Sequence, residues 1–278
     1  MNLAGYPVPE LVALVAGLLV TGVVAGTLAG LLGVGGGIVI VPVLYQVFAL
    51  LKVDPSIAMK LAVGTSLGTI ILTSMRSVRS HHKKGAVDWA LLRRWALPVL
   101  LGVGTGTVVA ASVSSRGLTF VFATMALFIS ANFAFGKESW RLGDKLPSRP
   151  AQYVFALVMG GLSAMMGIGG GTFGVSYLTL YGKTPREAVA TSSGLGLLIS
   201  VPGVLGFVIS GWGNELLPPL SLGYVNLIGM ALIVPLTIFT APYGAKIAHT
   251  ISHKALIRTF ALFLFISSCH MFYRLLIG

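Results

Sequence analysis

The residues with the most evident chemical capacity are two runs of three glycines, Gly35, Gly36 and Gly37, then Gly169, Gly170 and Gly171. Each glycine costs about 1 kcal/mol relative to alanine inside a helix, so three in succession interrupt one. A helix restarting after such a run turns its free N–H groups and the positive end of its dipole toward the break, where a small anion is the natural occupant. Thr65 and Ser66, with Thr191, Ser192 and Ser193, follow the two runs in the same order and would add hydroxyl donors. The competing interpretation is that glycines allow close helix approach and that Ser or Thr hydroxyls satisfy carbonyls of their own helix. For isolated glycines such as Gly22 and Gly26, spaced as GxxxG, packing is the better reading; for the repeated triple glycines, binding is, because packing alone need not break a helix.

The elements that position these residues follow from composition. The chain has 278 residues, 55% hydrophobic and 9% charged, with a mean hydropathy of +0.92. A soluble domain carries roughly 25% charge, so an ordinary water-soluble protein is excluded. The net charge of +12 is read as membrane topology, not as affinity for nucleic acid. Ten apolar segments are expected near residues 8–32, 38–51, 57–75, 89–112, 117–135, 151–166, 172–182, 188–210, 223–247 and 255–277. Segments 38–51 and 172–182 fall short of the roughly 17 to 25 residues that a crossing needs and are expected to be half-helices. The first segment is too long for a signal-peptide core and is expected to be retained in the membrane.

Two stretches are polar enough to lie wholly in water, Arg76 to Asp88 and Gly136 to Pro150. With both inside the cell, and each segment counted as one crossing, only Lys52, Lys60, Arg116 and Arg274 of the 19 basic residues fall outside. That asymmetry satisfies the positive-inside rule.

The halves repeat. Gly33-Val34-Gly35-Gly36-Gly37 returns as Gly167-Ile168-Gly169-Gly170-Gly171, Ala62-Val63-Gly64-Thr65-Ser66 as Ala188-Val189-Ala190-Thr191-Ser192, and Gly85 to Asp88 as Gly223 to Asn226. Asp88 and Asn226 are natural N-caps. The loop before Asp88 is basic, whereas its counterpart holds Glu215 and no base, so the two are expected on opposite faces. The expected fold is an all-α polytopic membrane protein of two inverted-topology repeats with Gly-broken short helices, about 8 to 10 membrane segments in all. Residues 1–135 form the first repeat, 136–150 a cytoplasmic linker and 151–278 the second.

Lys60 and Arg186 are placed at the mouths of the hydroxyl-bearing helices as an anion entrance, with snorkelling to the interface as the alternative. The seven acids all lie at segment ends or in loops, which leaves no buried carboxylate for a cation site or proton relay. His270, in the last segment, is read as a packing residue. The histidine pairs lack Cys or carboxylate support, the single Cys269 forms no cage, and neither metal nor other cofactor is expected. Gly64-Thr65-Ser66-Leu67-Gly68 matches GxSxG without the strand-turn-helix elbow or the His and acid partners that a hydrolase needs.

The stretches AGLLGVGGGIVIVPVL and GLSAMMGIGGGTFGVSYLTLYGKTPREAVATSS, with HHKKGAVDW and TAPYGAKIAH, resemble the TauE/SafE type sulfite exporter family over nearly the whole chain. The resemblance implies a multi-pass permease of the bacterial inner (plasma) membrane exporting sulfite, sulfoacetate or a related organosulfonate. The first half departs from the second by reading Met59-Lys60-Leu61 against Arg186-Glu187-Ala188. Together these readings predict a secondary carrier for a small anionic substrate, working by alternating access, not an enzyme. Its other partner is the lipid bilayer, with a homo-oligomer left open. A passive anion channel, an intramembrane hydrolase using Ser66 or Ser192 and a transport-inert scaffold are the rivals.

Overall fold

A computed structural model describes residues 8–32, 36–136, 141–247 and 253–277. In chain order the helices are α1 (Val8–Leu32), α2 (Gly37–Leu50), α3 (Pro55–Lys83), α4 (Trp89–Ser112), α5 (Ser115–Phe135), α6 (Arg149–Met166), α7 (Gly171–Leu180) and α8 (Pro185–Ser210). A two-stranded antiparallel hairpin, β1 (Ser221–Leu222) and β2 (Val225–Asn226), precedes α9 (Leu227–Ile247) and α10 (His253–Ile277).

Helix starts follow local chemistry. Asp54 accepts from Ser56 N at 2.8 Å with Pro55 opening α3. Asp88 accepts from Leu91 N at 3.0 Å to open α4, and Ser114 from Gly117 N at 3.1 Å to open α5. Thr184 and Glu187 form a reciprocal capping box on α8 behind Pro185. α2 and α7 have no side-chain cap and start from Gly36 and Gly170.

Two boundaries differ from expectation. α3 continues to Lys83 instead of ending near residue 75, because no Gly or Pro interrupts it before Gly85 and its last turn carries His81, His82 and Lys83, which suit a helix C-terminus. The ninth segment starts as a hairpin, and its helix begins only at Leu227.

α3 and α8 pack against each other at the centre. α1 runs along α9, α4 along α6 and α5 along α10, while α2 lies on α3 and α7 on α8. Exchanging the two halves converts α1·α9 into α6·α4 and α3·α9 into α8·α4, contacts that are all present. The packed interior centres on α3, with Met59, Leu61, Leu67 and Ile70 among its largest fully buried side chains beside Trp95, Phe122 and Phe207. Leu97, Val108, Phe120, Phe128, Leu205, Ile209 and Phe265 face outward, a coat suited to lipid.

Among the described residues five helical stretches are long and apolar enough to cross a membrane: α3, α4, α5, α8 and Arg258–Ile277 of α10. α2, with 14 residues, and α7, with 10, reach only about 21 and 15 Å along their axes. Both fall short of a bilayer core about 30 Å thick.

Candidate functional site

α6 ends at Gly167, left-handed at φ 68°, whose N–H reaches Ala164 O while Ile168 N reaches Ser163 O at 2.9 Å. Three residues later Gly170 takes φ 69° and ψ −5°, and α7 starts. Gly36 takes φ 75° and ψ −18° before α2, so both short helices emerge from the same backbone conformation. That conformation is open to glycine and strained for residues with a Cβ. Of the predicted binding glycines, Gly35 lies outside the described residues.

The two breaks meet. A Cβ on Gly37 would come 2.5 Å from the Gly167 carbonyl oxygen and 3.2 Å from Ile168 Cα, which places the start of α2 against the end of α6. Ile70 bridges the breaks, its side chain 2.7 Å from where a Cβ would stand on either Gly37 or Gly169. Gly196 faces Gly169 from α8, with the Ser74 hydroxyl alongside.

The predicted hydroxyls divide by role. Thr65 Oγ1 accepts from Asn226 N at 2.9 Å, and Thr191 Oγ1 from Asp88 N at 3.1 Å. Each therefore steadies an N-cap of the opposite half, since Asn226 Oδ1 accepts from Gly229 N at 2.8 Å just as Asp88 does from Leu91 N. Ser66 donates to Gly167 O at 2.8 Å and clamps the second break. Ser193 donates to Ala190 O within its own helix at 2.7 Å. Ser192 is buried with no hydrogen-bond partner for its Oγ, and so are Thr172 and Ser200. The triple-glycine reading missed Thr172, although its signal lay in the sequence: a hydroxyl directly after Gly171 where the first half has Ile38.

Lys60 and Arg186 do not sit alike. Lys60 lies five residues into α3, donates from Nζ to Ala111 O at the C-terminal end of α4 at 2.8 Å, and stands 5.8 Å from the Tyr224 ring centroid. Arg186 is exposed in the first turn of α8. α3 carries one more turn ahead of its hydroxyl motif, which draws Lys60 away from the helix mouth. No Asp, Glu, Lys, Arg or His residue is fully buried among the described residues, although Nδ1 of His81 and of His270 is enclosed without a hydrogen-bond partner. Among the described residues the fully buried polar side chains are hydroxyls and two amides, Gln152 and Asn226.

On the basic face, Lys183 Nζ meets Asp88 Oδ2 at 3.2 Å. Burial disfavours the Asp88 carboxylate, but the Leu91 N–H bond and Lys183 outweigh it and hold the carboxyl below its usual range. His82 Nδ1 accepts from Trp89 Nε1 at 3.0 Å. Among the described residues no three His, Cys, Asp or Glu side chains are grouped to hold a metal. Ser66 and the GxSxG match around it lie within the continuous α3 helix.

With ten helices among the described residues, an apolar exterior and two glycine-started half-helices in place, comparison with known families is decisive. The model of the sulfite exporter TauE/SafE family matches residues 18–271. The chain belongs to this family. A TauE/SafE protein of this kind is a multi-pass membrane transporter, seated in bacteria in the inner membrane. The chain is similar to a "probable membrane transporter protein" of Haemophilus influenzae, 33% identical over 91% of this chain and 96% of the relative. It is also similar to proteins of that description from Bacillus subtilis, 29% identical over 92% and 96%, and from Methanocaldococcus jannaschii, 27% identical over 86% and 88%. No solved structure matches this TauE/SafE chain.

Proposed function

We propose that this transporter exports a small sulfur-containing oxyanion, sulfite or an organosulfonate, by alternating access between two inverted repeats, residues 1–135 and 151–278, joined by a cytoplasmic linker. The reading rests on one observation above the others. Two half-helices start from left-handed glycines without side-chain caps, and the start of α2 lies against the break between α6 and α7, in a core where no charged residue is fully buried among the described residues. Free N–H groups and the positive ends of two helix dipoles then lie at breaks with no buried carboxylate among the described residues, an environment that favours negative charge. The family's own description supplies the cargo class.

The repeat is supported by the matched glycine conformations, the reciprocal Thr65–Asn226 and Thr191–Asp88 bonds, and the helix contacts that exchange when the halves are swapped. In this reading Gly36, Gly37, Gly170 and Gly171 shape the site and Ser192 adds a hydroxyl. Thr65, Thr191, Ser66 and Ser193 hold the surrounding backbone, and Arg186 draws anions toward the basic face.

The test is transport. Purified protein in proteoliposomes should carry radiolabelled sulfite or isethionate with a rate that saturates, and should give no unitary currents in planar bilayers. Flux that never saturates, accompanied by unitary currents, would establish a channel instead.

A further inference from the structure

The two glycine breaks share a backbone but not their donors. At α2, both Val39 N and Ile40 N turn back to Gly36 O, at 3.0 and 3.1 Å, so only Gly37 and Ile38 keep free first-turn N–H groups. At α7 the first bond is Gly174 N to Gly170 O at 2.8 Å, which leaves Gly171, Thr172 and Phe173. The side chains differ in the same sense. Thr172 occupies the place of Ile38, and its Oγ1 has no partner although the residue is 2% exposed. Ser192 occupies the place of Ser66. Ser66 donates to Gly167 O, whereas Ser192 Oγ is unpartnered at 1% exposure. A Cβ on Gly174 would come 2.6 Å from Ser192 Oγ, so that hydroxyl points at the first turn of α7. Leaving a buried hydroxyl without a partner costs roughly 1–3 kcal/mol; of these two, one is carried by the second residue of the uncapped α7 and the other lies beside its fourth.

We propose that the anion is held at the α7 break alone, by the Thr172 and Ser192 hydroxyls and the N–H groups of Gly171, Thr172 and Phe173, and that this half-site takes a singly charged oxyanion. The proposal rests on the transport reading above and narrows it. Single charge follows from the donors. Each helix N-terminus contributes about half a positive charge, and no Lys, Arg or His residue is fully buried among the described residues to balance a second negative charge. Moving an uncompensated charge out of water is costly enough that a dianion is rejected. Ser66, tied to Gly167, and Ile38 make the first break the structural member of the pair.

Binding to the full-length protein in nanodiscs tests this, with methanesulfonate as a permanent monoanion and sulfate as a dianion at neutral pH. Methanesulfonate should bind at least about tenfold more tightly than sulfate. Thr172→Val and Ser192→Ala should each weaken methanesulfonate by about tenfold, the effect of one lost hydrogen bond to a charged ligand. Thr172→Ser, which keeps the hydroxyl, should bind like the parent protein, and Ile38→Val should change nothing. Should Thr172→Val fail to fold, Ser192→Ala alone decides.

Parent-like methanesulfonate binding in the hydroxyl-less variants overturns the half-site while leaving the transport reading intact. Equal affinity for sulfate overturns the charge selectivity. If the parent protein binds neither methanesulfonate nor sulfite, the transport reading falls and takes the half-site with it.

Discussion

Asp88 joins three elements through one side chain and its own amide. Oδ1 caps α4, Oδ2 meets Lys183 before α8, and its N–H is received by Thr191. Because its folded pKa lies below the unfolded value of about 3.9, the stabilisation is fully present above that value and fades as pH falls through the folded pKa. Asp88→Asn should retain the cap, as Asn226 does in the other half, and lose the ion pair. We expect a loss of less than about 1 kcal/mol near neutrality and a flatter decline in thermal stability below about pH 4, measured by melting curves across pH. Gly170 has no such substitute. At φ 69°, with Ile199 Cδ1 2.5 Å from where a Cβ would stand, Gly170→Ala should destabilise by about 1–3 kcal/mol, visible as a lowered melting temperature. At this scale the sequence was readable for residue type and not for partner. The Thr and Ser clusters were visible, but which hydroxyls are committed depends on loops more than a hundred residues away, as Thr65 with Asn226 and Thr191 with Asp88 show.

Among elements, the helix pairs α1·α9 and α4·α6 are built on glycine. A Cβ on Gly26 would meet Thr237 Cα at 2.6 Å, and one on Gly106 would meet Gly161 Cα at 2.7 Å. Without a hydrophobic driving force between helices in lipid, such backbone approach is where packing energy is gained. Gly106→Val should therefore separate α4 from α6 and cost about 1–3 kcal/mol, read as reduced monodispersity and a lower melting temperature, while Gly104→Val, which would enter open space, should change little. Segment positions were legible because hydropathy and Gly, Pro or charge breaks are local. α1 and α4 fall on the expected residues, 8–32 and 89–112. The extension of α3 was hidden because a basic helical turn reads as loop by composition. The hairpin at 221–226 was hidden because its pairing and its burial against α3 are tertiary: the Tyr224 carbonyl packs on Gly64, and Asn226 N reaches Thr65.

For the whole molecule, the proposed inversion of the halves predicts that the loop around Lys84 and the loop around Glu215 lie on opposite sides of the membrane. In a Cys269→Ala background, Lys84→Cys should react with a membrane-impermeant maleimide only from the cytoplasmic face and Glu215→Cys only from the other; labelling of both from one face would contradict the inverted arrangement. The central claim is that the glycine breaks form the route of the anion, and transport through proteins altered at the breaks tests it most directly. Saturable sulfite flux in proteoliposomes should be abolished in Gly36→Leu/Gly170→Leu protein that still purifies as a monodisperse species. Unchanged flux in that variant, or the lack of saturable sulfite or sulfonate flux in the parent protein, would contradict the account.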